Sequence, residues 1–158
     1  MRRKLKPVLA LTAALALLGG CKDNPTASEI GPIPPLPAGA TIITKPSGLQ
    51  YADIVVGTGT TAASGNRVAV NYTGWVASSG KGFDTTAGLN PYPFTLGGGG
   101  VISGFEEGVI GMKVGGKRRL FIPANLAYGA TTVRDQNGNV LIPANSDLIF
   151  DVELVAVQ

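Results

Sequence analysis

The alternation of apolar and polar residues along the chain predicts several short β-strands. It is clearest near the C-terminus, where one apolar face is formed by Leu148, Phe150, Val152 and Leu154. Alternation with a period of two is typical of a half-buried strand. Similar patterns predict strands at 49–56, 67–73, 75–77 and 118–122. Around the last of these, Lys117 and Arg119 are expected to face solvent.

One short helix is predicted directly after the four glycines at 97–100. Phe105, Val109 and Met112 follow at positions i, i+4 and i+7, which gives a helix one apolar face. Ser103 and Glu106 have the spacing of a capping box, so the helix is expected to begin here. The glycines are interpreted either as a plain loop before a core helix or as a place where another molecule approaches the backbone. Strands with one helix predict an α+β fold, a curled antiparallel sheet wrapped around one short α-helix.

Two glycine-rich stretches resemble nucleotide-binding motifs but lack their context. Residues 57–62 fit G-x-G-x-x-A, yet a new turn and a strand follow where a dinucleotide-binding unit needs a helix. No Gly-Lys-Ser/Thr follows the glycines at 97–100, so a phosphate loop is also excluded. The long loop from Tyr128 to Val140 contains Asn137-Gly138, a strong signal for a tight turn.

The composition narrows the possible chemistry. The 158 residues suit one ordinary domain, and the formal net charge is +3. Four of the thirteen basic residues lie at positions 2, 3, 4 and 6; without them nine basic residues face ten acidic ones. Nucleic acid is therefore not an expected partner. The chain has no histidine, which excludes a Ser-His triad, a Cys-His pair and a histidine-ligated zinc site.

The N-terminal segment has the pattern of a secretory signal peptide. Basic residues precede an apolar run from Val8 to Leu18, too short to span a bilayer as a stable helix. The sequence Leu18-Gly19-Gly20-Cys21 resembles the lipobox of bacterial lipoproteins, in which the cysteine is lipidated. Since this cysteine is the only one in the chain, lipidation is a more natural interpretation than an incidental residue. In the lipoproteins that this segment resembles, the residue after the cysteine helps to sort the protein between membranes, and aspartate there implies the inner membrane. Lys22 at this position therefore favours the outer membrane, facing the periplasm.

The chain is accordingly divided into a lipoprotein signal peptide at 1–20, a lipidated cysteine and proline-rich tether at 21–45, and one domain at 46–158. Five prolines between 22 and 45 favour extended, polyproline-like geometry. The segment is expected to be a semi-rigid spacer between lipid and domain, although a proline-rich ligand for another module is an alternative.

The domain resembles the FKBP-type peptidyl-prolyl cis-trans isomerases, in the form found in bacterial lipoproteins. Ordered blocks from Pro46 to the C-terminus carry the resemblance: Val70-Asn71-Tyr72-Thr73-Gly74, Gly82-Phe83-Asp84-Thr85-Thr86, Phe94-Thr95-Leu96-Gly97, Val101-Ile102-Ser103-Gly104-Phe105-Glu106-Glu107-Gly108, Ala127-Tyr128-Gly129-Ala130, Ile142-Pro143 and Leu148-Ile149-Phe150-Asp151-Val152-Glu153-Leu154.

The resemblance implies an apolar pocket for a substrate proline ring, with Phe105 as its floor. The walls and rim carried over by position are Tyr72, Phe83, Tyr92, Phe94, Val101, Ile142 and Phe150. The resemblance assigns catalytic roles to Tyr128, Asp84 and Ile102, with the Tyr128 hydroxyl and the Ile102 amide facing substrate carbonyls. No metal, cofactor or covalent intermediate is implied. Several aromatic residues are equally well interpreted as core.

Three departures from the family pattern bear on these roles. The floor is usually tryptophan, and Phe105 is expected to weaken the binding of macrolide inhibitors more than turnover. The family commonly pairs its aspartate with an arginine that is missing between Asp84 and Pro91, so the partner of Asp84 is left open. The loop from Tyr128 is longer than in minimal members, and the preference for the residue before proline cannot be carried over.

The expected function is a monomeric, lipid-anchored prolyl isomerase of the cell envelope that acts on proline-containing polypeptides and assists the folding of exported proteins. The alternative is a weakly or non-catalytic peptide-binding or chaperone module. A surface factor that engages host matrix proteins is a third hypothesis, which the lack of a helical dimerising segment before the domain disfavours.

Overall fold

The computed structural model describes residues 30–87 and 89–158. The predicted signal peptide and Cys21 lie outside the described residues. Within them the α+β class is confirmed: an antiparallel sheet curls around one short helix. The elements are β1 (Ile43–Thr44), β2 (Gln50–Val55), β3 (Arg67–Val76), β4 (Gly82–Thr85), β5 (Tyr92–Thr95), α1 (Ser103–Val109), β6 (Lys117–Ile122), a 3-10 turn (Ala124–Leu126), β7 (Val133–Arg134), β8 (Val140–Ile142) and β9 (Leu148–Val157).

Seven strands form the main sheet: six lie in the order β1-β2-β6-β9-β3-β4, the seventh, β5, also pairs with β3, and all neighbouring strands are antiparallel. The two ten-residue strands, β3 and β9, pair along their length at the centre. β4 and β5 share the other edge of β3: β5 pairs with 67–70 and β4 with 73–75. This arrangement places residues of β4, β5 and β9 around the middle of β3.

The helix packs on the inner face of the sheet. Phe105 and Val109 have no exposed surface, and they meet the buried face of β9 predicted from the alternation. Gly104 and Gly108 face β6 so closely that a Cβ on either would overlap Ile122 or Leu120. Glycine at these two positions lets the helix backbone lie against the strand.

The helix begins where predicted, but the capping box is wrong. Ile102 is the N-cap residue, and no side chain caps the helix. The Ser103 hydroxyl donates to the Leu126 carbonyl, while a Glu106 carboxylate oxygen accepts the Gly99 amide at 2.8 Å. The spacing of these two residues therefore serves contacts outside the helix.

The prediction that Arg119 faces solvent is also wrong. Arg119 is 3% exposed and forms two 2.6 Å hydrogen bonds with Asp151, its cross-strand neighbour on β9. Lys117, in contrast, is exposed and lies 3.8 Å from Glu153. Arg119 is covered because residues 30–37, predicted to belong to a spacer, lie across the outer face of the sheet.

The predicted long loop contains a small hairpin. β7 and β8 pair through a turn in which Gly138 has a φ of 86°, which confirms the Asn137-Gly138 turn. Asp135 accepts the amides of Asn137 and Asn139 and holds this turn. No helix among the described residues is long and apolar enough to cross a membrane.

Candidate functional site

Four aromatic rings from three strands and the helix meet on the inner face of the sheet. Phe105 of α1 lies at their centre, with ring centroids 5.2 Å from Phe150, 5.8 Å from Tyr72 and 5.8 Å from Phe94. Most of these contacts are edge-to-face or tilted, the arrangements that aromatic pairs prefer. The predicted floor and three of the predicted walls are therefore brought together.

Two further predicted residues extend this cluster. The Phe83 ring lies 5.5 Å from Phe150, and Tyr92 lies 6.2 Å from Tyr72 and 6.0 Å from Phe94. Gly74 permits the first contact, because a Cβ there would lie 2.8 Å or less from both Phe83 and Phe150. Phe83 is buried, whereas Tyr92 is only half-buried and reaches the surface.

The partner of Asp84, left open by the sequence, is Tyr72. The Tyr72 hydroxyl donates to the Asp84 carboxylate at 2.7 Å. The two side chains come from adjacent strands, since Gly74 of β3 pairs with Asp84 of β4. Among the described residues no lysine or arginine lies within ion-pair distance of Asp84, so its partner is a neutral hydroxyl.

Burial dominates the electrostatics of this pair. Desolvation raises the pKa of Asp84 above its ordinary value, and the hydrogen bonds from Tyr72 and the Thr85 amide only partly oppose it. Burial, together with the charge and hydrogen bond of Asp84, raises the pKa of Tyr72 strongly. Tyr72 therefore stays a protonated donor, and Asp84 places a poorly solvated carboxylate at the edge of an aromatic cluster.

The glycine run at 97–100 is joined to the helix that carries Phe105 by a hydrogen bond to the Glu106 carboxylate. Gly97 and Gly99 have φ values of 81° and 70°, a region that favours glycine. Glu106 accepts the Gly99 amide, so the helix that carries Phe105 also fixes the loop. Val101 and Ile102 follow, both buried in the core cluster. Within the described residues, the Ile102 amide donates to no protein acceptor.

Tyr128 lies at the margin of the cluster. It is half-buried against the core, on the segment that follows the 3-10 turn. Tyr92 and Tyr128 are both close enough to Tyr72 to raise the pKa of its hydroxyl. Asp84, Tyr92 and Tyr128 are thus half-exposed polar groups around one aromatic cluster.

Two predicted site residues have almost no exposed surface that a ligand could contact. Phe105 has no exposed surface, so it reaches a ligand as a floor only if neighbouring side chains move. Ile142, predicted at the rim, is 1% exposed and packs in the core, where Val133 pairs with it. Ile142 is the last residue of β8 in the β7-β8 hairpin, and its role at the rim of the site stays a prediction.

The sequence also left unnoticed an arginine that supports the helix. Arg118 donates to both Asp53 carboxylate oxygens, at 2.6 and 3.2 Å, and to the Gly108 carbonyl at 3.0 Å. Its guanidinium lies 4.1 Å from the centre of the Tyr51 ring. Three elements, β2, β6 and α1, are joined by this side chain. Only the strand register could have revealed it, since Asp53 opposes Arg118 across β2 and β6.

No group of three or more potential metal-ligating side chains occurs within residues 30–87 and 89–158. A cavity of about 510 Å³ lies between the prolines at 34, 35 and 37 and the sheet. It is lined by Pro34, Pro35, Pro37, Ile54, Asn71, Tyr72, Thr73, Thr86, Ala87, Leu89, Lys117, Asp151, Val152 and Glu153.

Comparison with known families gives one match. The family described as FKBP-type peptidyl-prolyl cis-trans isomerase matches residues 58–155, more than half of the chain. FK506-binding protein 4 of Dictyostelium discoideum is 49% identical over 117 residues, which cover 74% of this chain and 30% of the relative. Peptidyl-prolyl cis-trans isomerase FKBP16-3, chloroplastic, of Arabidopsis thaliana is 47% identical over 115 residues, covering 72% of this chain and 50% of the relative.

Solved structures give the same fold. The crystal structure of AtFKBP13 superposes with a TM-score of 0.68 at 37% identity, covering 75% of this chain and 99% of that one. FkpA from Escherichia coli superposes with a TM-score of 0.62 at 39% identity, covering 74% of this chain and 51% of that one. The chain thus spans half or less of the length of the two curated relatives described above but nearly all of AtFKBP13.

Proposed function

This chain belongs to the family of FKBP-type peptidyl-prolyl cis-trans isomerases, and we propose that it catalyses rotation about X-Pro peptide bonds. The observation that carries the proposal is the grouping of Asp84, Tyr128 and the Ile102 amide around the aromatic cluster centred on Phe105. An apolar, ring-lined site with a few half-exposed polar groups suits a proline ring flanked by peptide carbonyls.

The reaction needs a site that fits a twisted amide better than a planar one. The barrier of about 18–20 kcal/mol comes mainly from lost resonance in the C–N bond, and no bond is broken. An apolar environment disfavours the charge-separated planar form. The Ile102 amide and the Tyr128 hydroxyl orient the neighbouring carbonyls, and each ~1.4 kcal/mol of preference for the twisted state gives about a tenfold rate increase.

In this mechanism Asp84 acts through its charge and through Tyr72. With the Tyr72 hydroxyl donating to it at 2.7 Å, the carboxylate is held at the edge of the cluster. There it faces the site from a poorly solvated position, where its field is less screened than in water. Its negative charge favours a transition state in which the carbonyl carbon of the twisting bond is more positive.

A protease-coupled cis/trans assay on the purified protein tests the proposal. The wild type is expected to exceed buffer clearly, and Tyr128→Phe combined with Asp84→Ala is expected to return the rate towards buffer. Tyr51→Phe is the matched control, because Tyr51 lies beneath Arg118 on β2, outside the aromatic cluster. Equal rates for wild type, double variant and buffer would exclude the isomerase function.

We further propose that the protein is a lipid-anchored envelope protein that assists the folding of exported polypeptides. The support is the sequence alone: the basic and apolar N-terminal segment and the lipobox-like Leu18-Gly19-Gly20-Cys21. From Cys21 to Ile30 an extended chain spans at most about 30 Å, at ~3.3–3.6 Å per residue. A domain held at Ile30 would therefore work close to the membrane. Persistence of a Cys21→Ala variant in the membrane fraction would contradict this anchoring.

A second candidate is a weakly catalytic peptide-binding or chaperone module. The observation that favours it is the complete burial of Phe105. The relatives named FK506-binding proteins suggest a probe: we propose that this chain binds FK506 weakly, because the floor is covered. Protection of an unfolded client by the Tyr128→Phe, Asp84→Ala variant, at the level of wild type, would favour this second function.

A further inference from the structure

Residues 30–37, which we call the N-terminal strap, are hydrogen-bonded to the outer face of the sheet. The Trp75 indole Nε1 donates to the Gly31 carbonyl at 2.7 Å, and Arg119 Nη1 donates to the Pro34 carbonyl at 2.6 Å. The strap is rich in proline and offers few amides, so it docks through its carbonyl groups.

The outer face has the donors that such a strap requires. Trp75 is 4% exposed and Arg119 is 3% exposed, although both point away from the aromatic core on strands whose other outer residues are partly open. Asp151 already satisfies the remaining Arg119 donors on one side of the guanidinium. An aromatic N–H and a buried guanidinium are thus aimed at two carbonyls of the strap, which is the arrangement of a built contact.

The strap also presses on β4. The Ile30 side chain occupies the space where Gly82 would carry a Cβ, so the two residues are in direct contact. β4 is a short edge strand of four residues, hydrogen-bonded to β3 on one side. Gly82 pairs with Trp75, which itself binds the strap. The strap therefore holds both members of this cross-strand pair.

Asp84 lies two residues beyond Gly82 on the same strand. Its carboxylate accepts the Tyr72 hydroxyl at 2.7 Å, and Phe83 between them packs on Phe150. A displacement of this short strand moves the carboxylate relative to the aromatic cluster, and misplacement by about 1 Å at a site can reduce rates by as much as about 100-fold.

We propose that the N-terminal strap is a positioning element of the isomerase: by holding Gly82 and Trp75 it fixes β4, and with β4 the Asp84 carboxylate. The effect on rate rests on the proposed isomerase function, whereas the effect on β4 does not. Ile30 is the positioning residue with the most direct contact.

Ile30→Ala in the full chain tests this proposal, with Ile42→Ala as the matched control. Ile42 is an isoleucine of the same N-terminal region, but it is 49% exposed. We expect Ile30→Ala to lower kcat/KM by about three- to tenfold, mainly through kcat, because the reacting geometry and not general affinity is disturbed. Ile42→Ala should match wild type, and Ile30→Val should restore most of the rate.

Hydrogen exchange separates positioning from simple stabilisation. In Ile30→Ala the amides that join β3 and β4 should exchange faster, while those between β6 and β9 keep their protection. Trp75→Phe, which removes the indole donor but keeps a ring, should shift exchange in the same direction. Unchanged β4 exchange and unchanged kcat/KM in both variants would overturn the proposal. Faster β4 exchange in a protein whose wild type is inactive would instead reject only the isomerase function.

Discussion

Replacing Asp84 by asparagine separates the functional role of this side chain from its role in the fold. The asparagine keeps an oxygen that can accept the Tyr72 hydroxyl, now 2.7 Å from the carboxylate, and removes the charge. Because no cation among the described residues pairs with Asp84, the substitution breaks no ion pair. The size and shape of the side chain are nearly kept, while the charge is lost and one acceptor oxygen becomes an amide nitrogen that donates.

Two opposing contributions set the effect on stability. A hydrogen bond to a charged acceptor contributes ~1.5–3 kcal/mol and one to a neutral acceptor ~0.5–1.5 kcal/mol, so Asp84→Asn loses about 1 kcal/mol at Tyr72. In the other direction, the substitution removes a carboxylate whose charge burial disfavours, as its raised pKa indicates. We expect the free energy of unfolding near pH 7 to change by less than about 1 kcal/mol, which is small for a half-buried site residue.

The pH dependence of stability shows independently whether the Asp84 charge stabilises or destabilises the fold. Since burial raises the pKa of Asp84 in the folded protein, the folded state binds a proton more readily than the unfolded chain does. Stability therefore falls as pH rises from the unfolded pKa through the folded pKa, and is recovered on acidification. Relative to Asp84→Asn, the wild type should gain stability as pH is lowered from about 7 towards ~4, near the ordinary aspartate pKa of about 3.9.

Urea unfolding at several pH values, with the coupled cis/trans assay, measures both effects. We expect kcat/KM to fall at least about tenfold, a loss of ~1.4 kcal/mol in transition-state stabilisation, while stability hardly changes. Asp147→Asn is the control, an exposed aspartate that accepts the Ala124 amide. A loss of stability above about 2 kcal/mol at neutral pH would refute the reasoning, because the carboxylate would then be a net stabilising group.

Three further substitutions test the supports of the site. Glu106→Gln weakens the bond to the Gly99 amide and should cost about 1 kcal/mol and reduce kcat/KM about threefold, measured by urea unfolding and the cis/trans assay. Arg118→Lys breaks a buried, bidentate contact and should lower the free energy of unfolding by ~2–4 kcal/mol; a loss under about 0.5 kcal/mol would contradict this. Gly104→Ala inserts a methyl against Ile122 and should cost ~1–3 kcal/mol, and a stabilised variant would show that helix propensity outweighs overpacking.

Each substitution has a control elsewhere in the chain. Glu107→Gln removes the same charge one residue along, where the carboxylate accepts the Ser47 hydroxyl and does not contact the glycine loop. Arg134→Lys tests an exposed arginine. Gly100→Ala adds a methyl where nothing lies within 4 Å. If Glu107→Gln lowered the free energy of unfolding and kcat/KM as much as Glu106→Gln does, the specific role of the Gly99 contact would be rejected.

The elements were predictable because their patterns are local. Alternation fixed the buried face of β9, from Leu148 to Leu154, and the spacing of Phe105 and Val109 fixed the buried face of the helix. The family resemblance predicted that Tyr72, Phe94 and Phe150 lie around one pocket, without knowledge of the strand register. The structure places all three rings beside Phe105. Each of these inferences depends on the burial of apolar side chains, which sequence periodicity reports directly.

The polar contacts were not predictable, because each depends on strand register. Arg119 lies on the same face of β6 as Lys117 and by pattern alone should be exposed; the structure pairs it with Asp151 across the sheet and covers it with residues 30–37. The Tyr72 and Asp84 pair likewise needs the β3-β4 register, which contains a bulge between Gly74 and Trp75. The capping-box prediction was wrong for a related reason. The Glu106 carboxylate accepts the Gly99 amide of the glycine-rich loop, a contact that the local sequence pattern does not predict.

The N-terminal strap makes contacts with the sheet that the sequence pattern did not predict. A proline-rich sequence has no periodicity, so it predicts an extended spacer and gives no sign of what it contacts. The contact depends instead on the sheet, where Trp75 and Arg119 donate hydrogen bonds to carbonyl groups of the strap. The strap, held by Trp75 and Arg119, contacts Gly82 of β4 through Ile30. Asp84 lies two residues after Gly82 on this short edge strand. The stretch that seemed to serve only attachment therefore belongs, on our proposal, to the parts that set the geometry of the site.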